Sequence, residues 1–573
     1  MTKITLIEPK APGKHTYSSV NMPRLGIPLL GTQLKQKGYD VKLLYGSGGE
    51  LRVSDILGSD LVGISTTTST CKEAYRIGRY VQQKGIPVVM GGPHATFLPE
   101  EALQYCDYVV RGEADSTFLD FVACIMAGHE PAEIPGVSFK RGNVFVHNPL
   151  PDEVNIDIAP IPDFNLFANL RKVSTYPVMT SRGCPFNCNF CSVTAMFGRK
   201  YRCRNSELVL QELAQYTDKK VFFCDDNFTA NTGRAKALLR EMIARGVTPS
   251  WWGAQVRTDI ARDDELVALM REAGCGMVYV GMESINPETL KVYNKQQGVK
   301  DIEDCIKKCH QHKIMVHGMF VFGGENDTVQ TIRDTVDFAR DTRIDSVQFL
   351  VLTPIPGTPV YEKLEREGRL LTKDWNFYDG HHVVFQPALM SPLELQAETI
   401  AAFQKFYKIH NLFDNVSLTN KMSAGYRLVG WYLTRRWLQD NRWYFQMLEG
   451  LTQPDGSAIS PSTDWVLNPG RNINISIIEQ NGTFLVELKG NIDQLSSKRL
   501  FQTLNKNYPG QYRDWTIDIR QVKFGSEEAL GKFMKNLNGL AVRARSVKIV
   551  SPFNGWLASV LEKSNGSLPY FEL

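Results

Sequence analysis

Cys184, Cys188 and Cys191 fall within eight consecutive residues, in T-S-R-G-C-P-F-N-C-N-F-C-S-V. The C-x3-C-x2-C spacing lets one loop wrap three thiolates around a face of an iron–sulfur cube. Each iron of a cubane takes one outer ligand, so three cysteines leave a fourth iron open to bind and reduce something. A structural zinc site would instead close its tetrahedron with a fourth Cys or His. Cys203, in G-R-K-Y-R-C-R-N-S, is the candidate for that ligand, but its flanks are basic and it lies twelve residues beyond Cys191.

The elements that must position this loop follow a strand–helix rhythm. From Tyr176 onward, strands are predicted at Tyr176 to Thr180, Lys220 to Cys224, Pro249 to Gln255, Met277 to Gly281, Met315 to Val321 and Ser346 to Leu352. Helices rich in Ala, Leu, Lys and Glu lie between them. Six βα units forming a partial barrel is the economical reading, with chemistry at the carboxyl ends of the strands, and a complete barrel of eight is the structural rival. The unusual residues gather at those ends: Asp225-Asp226-Asn227-Phe228-Thr229, Gln255-Val256-Arg257-Thr258, Gly281-Met282-Glu283-Ser284, Phe322-Gly323-Gly324-Glu325-Asn326-Asp327 and Thr353-Pro354-Ile355-Pro356-Gly357-Thr358-Pro359. Carboxylates and glycines at successive rims can hold an amine, a ribose diol and a flat purine. Any one of them read alone is equally a helix N-cap.

The amino-terminal third shows a second α/β pattern. Ile4 to Ile7, Asp40 to Leu44, Leu61 to Ser65 and Ile86 to Met90 read as strands separated by helices, which predicts a doubly wound parallel sheet. Ligands of such sheets bind beyond the carboxyl ends of the strands. Two ends are suited to a large polar ligand: the hydroxyl run Ser65-Thr66-Thr67-Thr68-Ser69-Thr70, and Gly91-Gly92-Pro93-His94, where the backbone can approach closely. Capping and a tight turn are the plain alternatives. Pro131 to Thr175 reads as a connector that contains a hairpin, V-S-F-K-R-G-N-V-F-V-H-N.

Composition excludes several classes. The chain has 573 residues, 43% hydrophobic and 22% charged, so it is a soluble multidomain protein. Its formal charge of +4 gives no argument for nucleic acid binding. All eleven cysteines lie at or before Cys309, which is not a disulfide framework and points to a reducing cytoplasm. No signal peptide and no run of eighteen apolar residues is found.

The segments F-F-C-D-D-N-F, V-G-M-E-S-I-N-P-E-T-L, M-F-V-F-G-G-E-N-D-T and L-T-P-I-P-G-T-P make Val178 to Pro392 similar to the radical SAM superfamily. With P-R-L-G, the hydroxyl-rich loop and G-G-P-H-A-T, the chain resembles the subgroup that carries an amino-terminal cobalamin-binding domain. The resemblance implies that Cys184, Cys188 and Cys191 ligate a four-iron, four-sulfur cluster whose open iron is chelated by S-adenosylmethionine (SAM). It implies SAM contacts from Phe190, Asp225, Asp226, Arg257 and Glu283. It implies that Arg24, Ser65, Thr66, Thr67, Thr68, Gly91, Gly92, Pro93 and His94 surround cobalamin. The D-x-H-x-x-G motif by which other cobalamin proteins offer an imidazole to cobalt is absent, so a histidine from that motif is not expected on the lower face. The implied activity is reductive cleavage of SAM to a 5′-deoxyadenosyl radical, used for methyl transfer to a carbon or phosphorus centre. Radical cyclisation, rearrangement or C–C coupling, and a non-catalytic cobalamin or redox sensor, are the alternatives. A flavodoxin or ferredoxin is the implied electron donor.

Beyond the barrel, Trp375, Tyr378, His381 and His382 are candidates to line the substrate side of its mouth, with a packed aromatic turn as the alternative. Tyr426 to Tyr444 carries three tryptophans and four arginines and suits docking on the barrel, lying on a lipid surface or binding a protein partner; lipid contact would make a hydrophobic substrate such as a fatty chain plausible. The final strands and helices resemble a STAS domain. There Lys523-Phe524-Gly525-Ser526 stands where that family carries a phosphorylatable D-S, with Gly before Ser526. The expected organisation is 1–148 cobalamin-binding-like, 149–175 connector, 176–391 radical SAM barrel, 392–451 helical, 452–473 linker and 474–573 STAS-like.

Overall fold

A computed structural model describes residues 1–11, 22–408 and 421–448 with isolated interruptions, and beyond them six strands and a few helical residues. Residues 1–442 form one compact unit and 443–573 a second.

The first sheet contains β1 (Lys3–Glu8), β2 (Asp40–Tyr45), β3 (Leu61–Ser65), β4 (Val88–Gly91), β5 (Tyr108–Val110), β6 (Val137–Arg141) and β7 (Val144–His147), in the order β2-β1-β3-β4-β5-β6-β7. Its first five strands are parallel and nearly continuous in apolar residues, because helices cover both faces. The hairpin expected in the connector instead joins this sheet, as the antiparallel edge β6–β7. Gly142, at φ +62, takes its turn.

The second sheet is entered by β8 (Tyr176–Val178). A short antiparallel pair follows, β9 (Ser181–Arg182) with β10 (Arg202–Cys203). The sheet continues through β11 (Lys220–Phe223), β12 (Trp251–Val256), β13 (Cys275–Glu283), β14 (Met315–Phe322) and β15 (Ser346–Val351). The order β15-β14-β13-β12-β11-β8 is parallel throughout and ends at β8 and β15, so the barrel is open and six-stranded. The side chains alternate between the two faces, with irregularities at Trp252/Gly253 and Gly281/Glu283. Phe223, Ala254, Val280, Phe320 and Phe349 are fully buried on the helical side, where Phe349 meets Phe403 and Phe406 of the helix Pro392–Phe406.

Both sheets share the compact unit. Trp375, Tyr378, Tyr361 and Val384, which follow the barrel, pack into the core of the first sheet beside Ile7, Leu44 and Ile64. The Trp375 indole donates to Glu101 at 2.8 Å and lies edge-on to His94. His381 and His382 are buried, and His382 is held by Asp379 at 2.9 Å and packs against Trp437. The segment is therefore a packed aromatic turn and not a lining of the barrel mouth. Gly357 of P-I-P-G-T-P, at φ +84, lies against the Phe97 ring, which a Cβ would strike at 2.3 Å.

The helix Lys421–Asp440 docks on the same unit through Ser423, Arg427, Leu433, Thr434 and Trp437. Arg427 donates to the Ile344 carbonyl at 3.1 Å, so this arginine points inward, while Leu428, Val429 and Tyr432 remain exposed. No helix among the described residues is long and apolar enough to cross a membrane.

The second unit holds β16 (Trp465–Gly470), β17 (Ile473–Gln480), β18 (Thr483–Ile492), β19 (Asp514–Phe524), β20 (Ser546–Val550) and β21 (Phe571–Glu572), paired in sequence order. The first three are antiparallel and the rest parallel. β16 falls in the stretch expected to be a linker. Ser526 lies outside the described residues.

Candidate active site

The cysteine loop leaves β8 and is anchored from the neighbouring strand. Because Phe223 pairs with Val178, Asp225 at the end of β11 sits beside Thr180 and Ser181. Its carboxylate accepts from the Thr180 N–H at 2.7 Å, the Ser181 N–H at 3.1 Å and both hydroxyls, and it is wholly buried. Burial raises its pKa, opposed by those hydrogen bonds. Asp225, expected to contact SAM, is thus fully engaged in holding the start of the loop. Asp226 differs. Its hydrogen bond among the described residues is from the Gly183 N–H at 3.0 Å. Desolvation is the main cause lifting its carboxyl to about 6, with Asp225 adding to it.

The loop is clamped from the other side by residues 292–297. Asn294 donates its side-chain amide to the Asn187 carbonyl at 3.0 Å, and Asn189 donates to the Val292 carbonyl at 2.8 Å. The Phe190 ring packs on Tyr293 at 4.9 Å, and the Arg257 guanidinium stands 3.7 Å over Phe186. Arg257 also donates to the Lys295 carbonyl at 2.9 Å, and Lys295 pairs with Glu283 at 2.7 Å, with both side chains under a tenth exposed. Glu283 adopts φ +61, and Asn294 and Gln296 on either side of Lys295 are also left-handed, strain of the kind functional sites hold. A Cβ at Gly281 would come within 2.6 Å of the Glu283 carboxylate and 2.8 Å of the Lys295 ammonium, so a side chain there would displace this pair. Phe190, Arg257 and Glu283, read from sequence, therefore converge. Phe186, from within the cysteine loop, joins them, as do Lys295 and Tyr293, which nothing in their local sequence marks.

The residues fit a cluster and a zwitterionic ligand. Backbone N–H groups of Phe186 and Val193 point at the Cys184 and Cys191 sulfurs. Burial pushes the Cys184 thiol up and the Cys191 thiol to about 12, so both require a cationic partner to stay ionised. A tetrahedral zinc would draw its sulfurs to about 3.8 Å apart. Among the described residues, the group whose ligand atoms all lie within 4.8 Å of one another is Cys71, His94 and Glu101, which does not include the loop cysteines. Cys203 is exposed on β10 opposite Ser181. Asn189 Oδ1, Arg257 Nε and Tyr293 Oη are buried without a hydrogen-bond partner, as expected where a polar ligand completes the site.

The rim of the first sheet is organised differently. The Thr66 hydroxyl donates to the Gly91 carbonyl at 2.8 Å and accepts from the Ala95 N–H at 3.1 Å. Thr67 and Thr70 cap one another, and Thr68 is buried. Gly92, at φ +91, presses on Thr66, whose carbonyl a Cβ would meet at 2.4 Å. His94, expected beside cobalamin, has no exposed surface and hydrogen-bonds Tyr75 at 3.0 Å. It is a core residue. Arg24 pairs with Glu8 at the end of β1, at 2.9 Å. Ser65, Thr67, Gly91, Gly92 and Pro93 keep partial exposure at this rim. Just past β5, Glu113 and Asp115 receive Arg182 at 2.6 and 2.8 Å, and Arg202 also pairs with Glu113, all about a tenth exposed. The strands flanking the cysteine loop are thereby fastened to the carboxyl end of the first sheet.

The Radical SAM superfamily profile matches residues 178–339 and the B12 binding domain profile residues 17–122. A Pyrococcus horikoshii protein named as an uncharacterized methyltransferase is 35% identical over 377 residues, covering 62% of this chain and 81% of that one. The chain belongs to the radical SAM superfamily, in the branch that carries a B12-binding domain. The bacteriochlorophyllide d C-12(1)-methyltransferase of Chlorobaculum tepidum is 31% identical over 419 residues, 71% of this chain and 87% of that one. Among solved structures, the radical SAM methyltransferase TsrM of Kitasatospora setae, with cobalamin and a [4Fe-4S] cluster bound, superposes with a TM-score of 0.59 at 19% identity, covering 79% of this chain and 100% of that one. The cobalamin-dependent enzyme OxsB gives 0.58 at 15% identity, covering 76% of this chain and 72% of that one. These two show the shared fold. Membership of this radical SAM branch brings its cofactors: a [4Fe–4S] cluster, SAM and cobalamin.

Proposed function

We propose that this radical SAM protein is a cobalamin-dependent methyltransferase acting on an unactivated carbon of a small molecule. The observation that carries the reading is the fastening of Arg182 and Arg202 to Glu113 and Asp115, which turns the cysteine loop and the carboxyl end of the first sheet toward one another. When bound, the cluster supplies the electron that cleaves SAM and cobalamin carries the methyl group.

In this reading Cys184, Cys188 and Cys191 hold the cluster, and Asp225 keeps their loop in place. Asp226, with lone pairs to spare, accepts from the SAM ammonium. Arg257 and Lys295 meet its carboxylate, Glu283 its ribose hydroxyls, and Phe190 with Tyr293 flanks the adenine. Ser65, Thr67, Gly91, Gly92 and Pro93 offer backbone and small side chains to the corrin. Packing of the loop against residues 292–297 keeps water from the sulfonium, where a stray hydrogen donor would quench the radical. A flavodoxin or ferredoxin delivers the electron, and the exposed Leu428, Val429 and Tyr432 face supports peripheral contact with lipid.

The test is anaerobic reconstitution, followed by SAM and a strong reductant in the presence of cobalamin. Methyl transfer yields S-adenosylhomocysteine together with 5′-deoxyadenosine, and cobalt co-purifies. A relative from Cereibacter sphaeroides, 28% identical, is named anaerobic magnesium-protoporphyrin IX monomethyl ester cyclase. 5′-Deoxyadenosine without S-adenosylhomocysteine would favour such non-methylating chemistry, and neither product would overturn the radical reading.

A further inference from the structure

We infer that Cys71, His94 and Glu101 form a metal site of their own, which takes one zinc-like divalent ion just behind the rim of the first sheet. The inference goes beyond the methyl-transfer reading and does not rest on it. One ligand atom from each of the three lies within 4.8 Å of the other two. His94 Nε2 stands 3.6 Å from the Glu101 carboxylate. Donors bound at about 2.0–2.3 Å to one tetrahedral ion are about 3.3–3.8 Å apart, so this pair is already at ligand spacing. Three separate elements supply the set. Cys71 opens the helix Cys71–Gln82 after β3, His94 belongs to the turn Pro93–Phe97 after β4, and Glu101 to Pro99–Ala102. Cys71 and His94 have no exposed surface, while the Glu101 side chain keeps a third of its own, which gives an ion a way in.

Hydrogen bonding alone leaves this group incomplete. Glu101 accepts from the Trp375 indole at 2.8 Å, and His94 Nε2 meets the Tyr75 hydroxyl at 3.0 Å, but His94 Nδ1 has no hydrogen-bond partner among the described residues. The thiol beside them does more than fill space. Cys106, in the same core, is served by the Ala102 carbonyl at 3.2 Å, whereas Cys71 is set against an imidazole and a carboxylate. The Lys72 N–H points at the Cys71 sulfur from the first turn of its helix, where a thiolate is favoured. Burial, with the Glu101 charge adding to it, holds the thiol well above its ordinary range, so it ionises only against a cation. Thiolate and carboxylate together cancel a divalent charge, and sulfur with imidazole selects zinc or cobalt over magnesium. Around them Trp375 orients Glu101, Lys72 pairs with Asp374 at 2.7 Å, and the Tyr75 hydroxyl is placed to hydrogen-bond the fourth position. The ion would tie the helices that follow β3 and β4 to the turn that follows the barrel.

Metal analysis of the reconstituted full-length protein is the test, because zinc and iron are counted separately. Wild type given one equivalent of Zn²⁺ and passed over a chelating resin should keep about one zinc per chain beside its iron. Cys71→Ala and Glu101→Gln should each weaken zinc about tenfold or more and leave iron content unchanged. Zinc should raise the thermal midpoint of the wild type and not that of Cys71→Ala, as expected of a ligand that binds only the folded chain. In corrin-free Cys184→Ala/Cys188→Ala/Cys191→Ala protein, Co²⁺ should give a thiolate-to-cobalt charge-transfer band that Cys71→Ala removes. Circular dichroism checks folding, and if Cys71→Ala does not fold, the zinc content of the isosteric Glu101→Gln decides. Loss of zinc from the wild type on the resin, equal retention by the folded variants, or a cobalt band that survives Cys71→Ala would each overturn the inference. None of these readouts involves SAM cleavage, so failure here is distinct from failure of the radical reading.

Discussion

The carboxyl-end loops of the two sheets are both rich in polar residues, yet they use them in opposite ways. At the first sheet the hydroxyls are spent internally, Thr66 on Gly91 and Ala95 and Thr67 on Thr70, while the buried His94 imidazole bonds Tyr75 through Nε2 and leaves Nδ1 without a partner. What remains outward is backbone and small side chains. At the second sheet Arg257, Lys295 and Glu283 are brought together under cover, and Asn189 Oδ1, Arg257 Nε and Tyr293 Oη have no partner. A corrin, broad and fringed with neutral amides, can be held by shape and backbone. A zwitterion with a sulfonium needs opposed charges in a dry place. In the proposed reading, the difference between the rims follows the difference between the ligands.

The comparison breaks most sharply at the cysteines. Alanine at Cys184, Cys188 or Cys191 should abolish SAM cleavage, a loss of about a thousandfold or more, while cobalamin binding persists. Iron content, 5′-deoxyadenosine yield and the cobalamin absorbance spectrum read the two halves separately. Asp225→Ala should cost about 3–5 kcal/mol in chemical denaturation, because it strands four buried donors. Asp226→Asn should leave stability within about 1 kcal/mol and weaken SAM about tenfold. Equal stability losses for the two would erase the distinction drawn between these neighbours.

Acid should act on the second sheet through His317, whose pKa is lowered by burial to about 4 from an ordinary 6.5. The fold favours the neutral imidazole. That stabilisation is complete above pH 6.5 and is lost as pH falls toward 4, by up to about 3 kcal/mol. Denaturation midpoints at pH 7, 5.5 and 4.5 should show it, and His317→Gln should flatten the slope. The smallest effect belongs to the first rim. Thr66→Val should cost about 1–2 kcal/mol and leave cobalamin affinity nearly unchanged, since its hydroxyl serves the fold. A large loss of cobalamin affinity would mean that this rim, like the other, binds through side-chain chemistry.

Much of this arrangement is legible in the chain. The C-x3-C-x2-C spacing names a cluster loop because three thiolates must reach three irons from one short segment. Apolar runs at βα spacing predict both parallel sheets, because buried strands have no polar face to show. The polar rims are visible too, but not their use. Asp225 and Asp226 are chemically identical neighbours, and only pairing of β11 with β8 turns one into the loop and leaves the other facing the cysteines. His94 looks like a ligand beside two glycines, and burial under Trp375 makes it core.

The sequence by itself determined the chemistry available: three thiolates, a parallel barrel with acids and glycines at its strand ends, and a second sheet with hydroxyls at its own. Tertiary structure alone decided which of those groups are free. Lys295 lies twelve residues past Glu283 with no local pattern to mark it, and only the fold brings its ammonium within 2.7 Å of that carboxylate. The physical reason is that residue type sets what a side chain can bond, while strand register and burial set what is left for it to bond to.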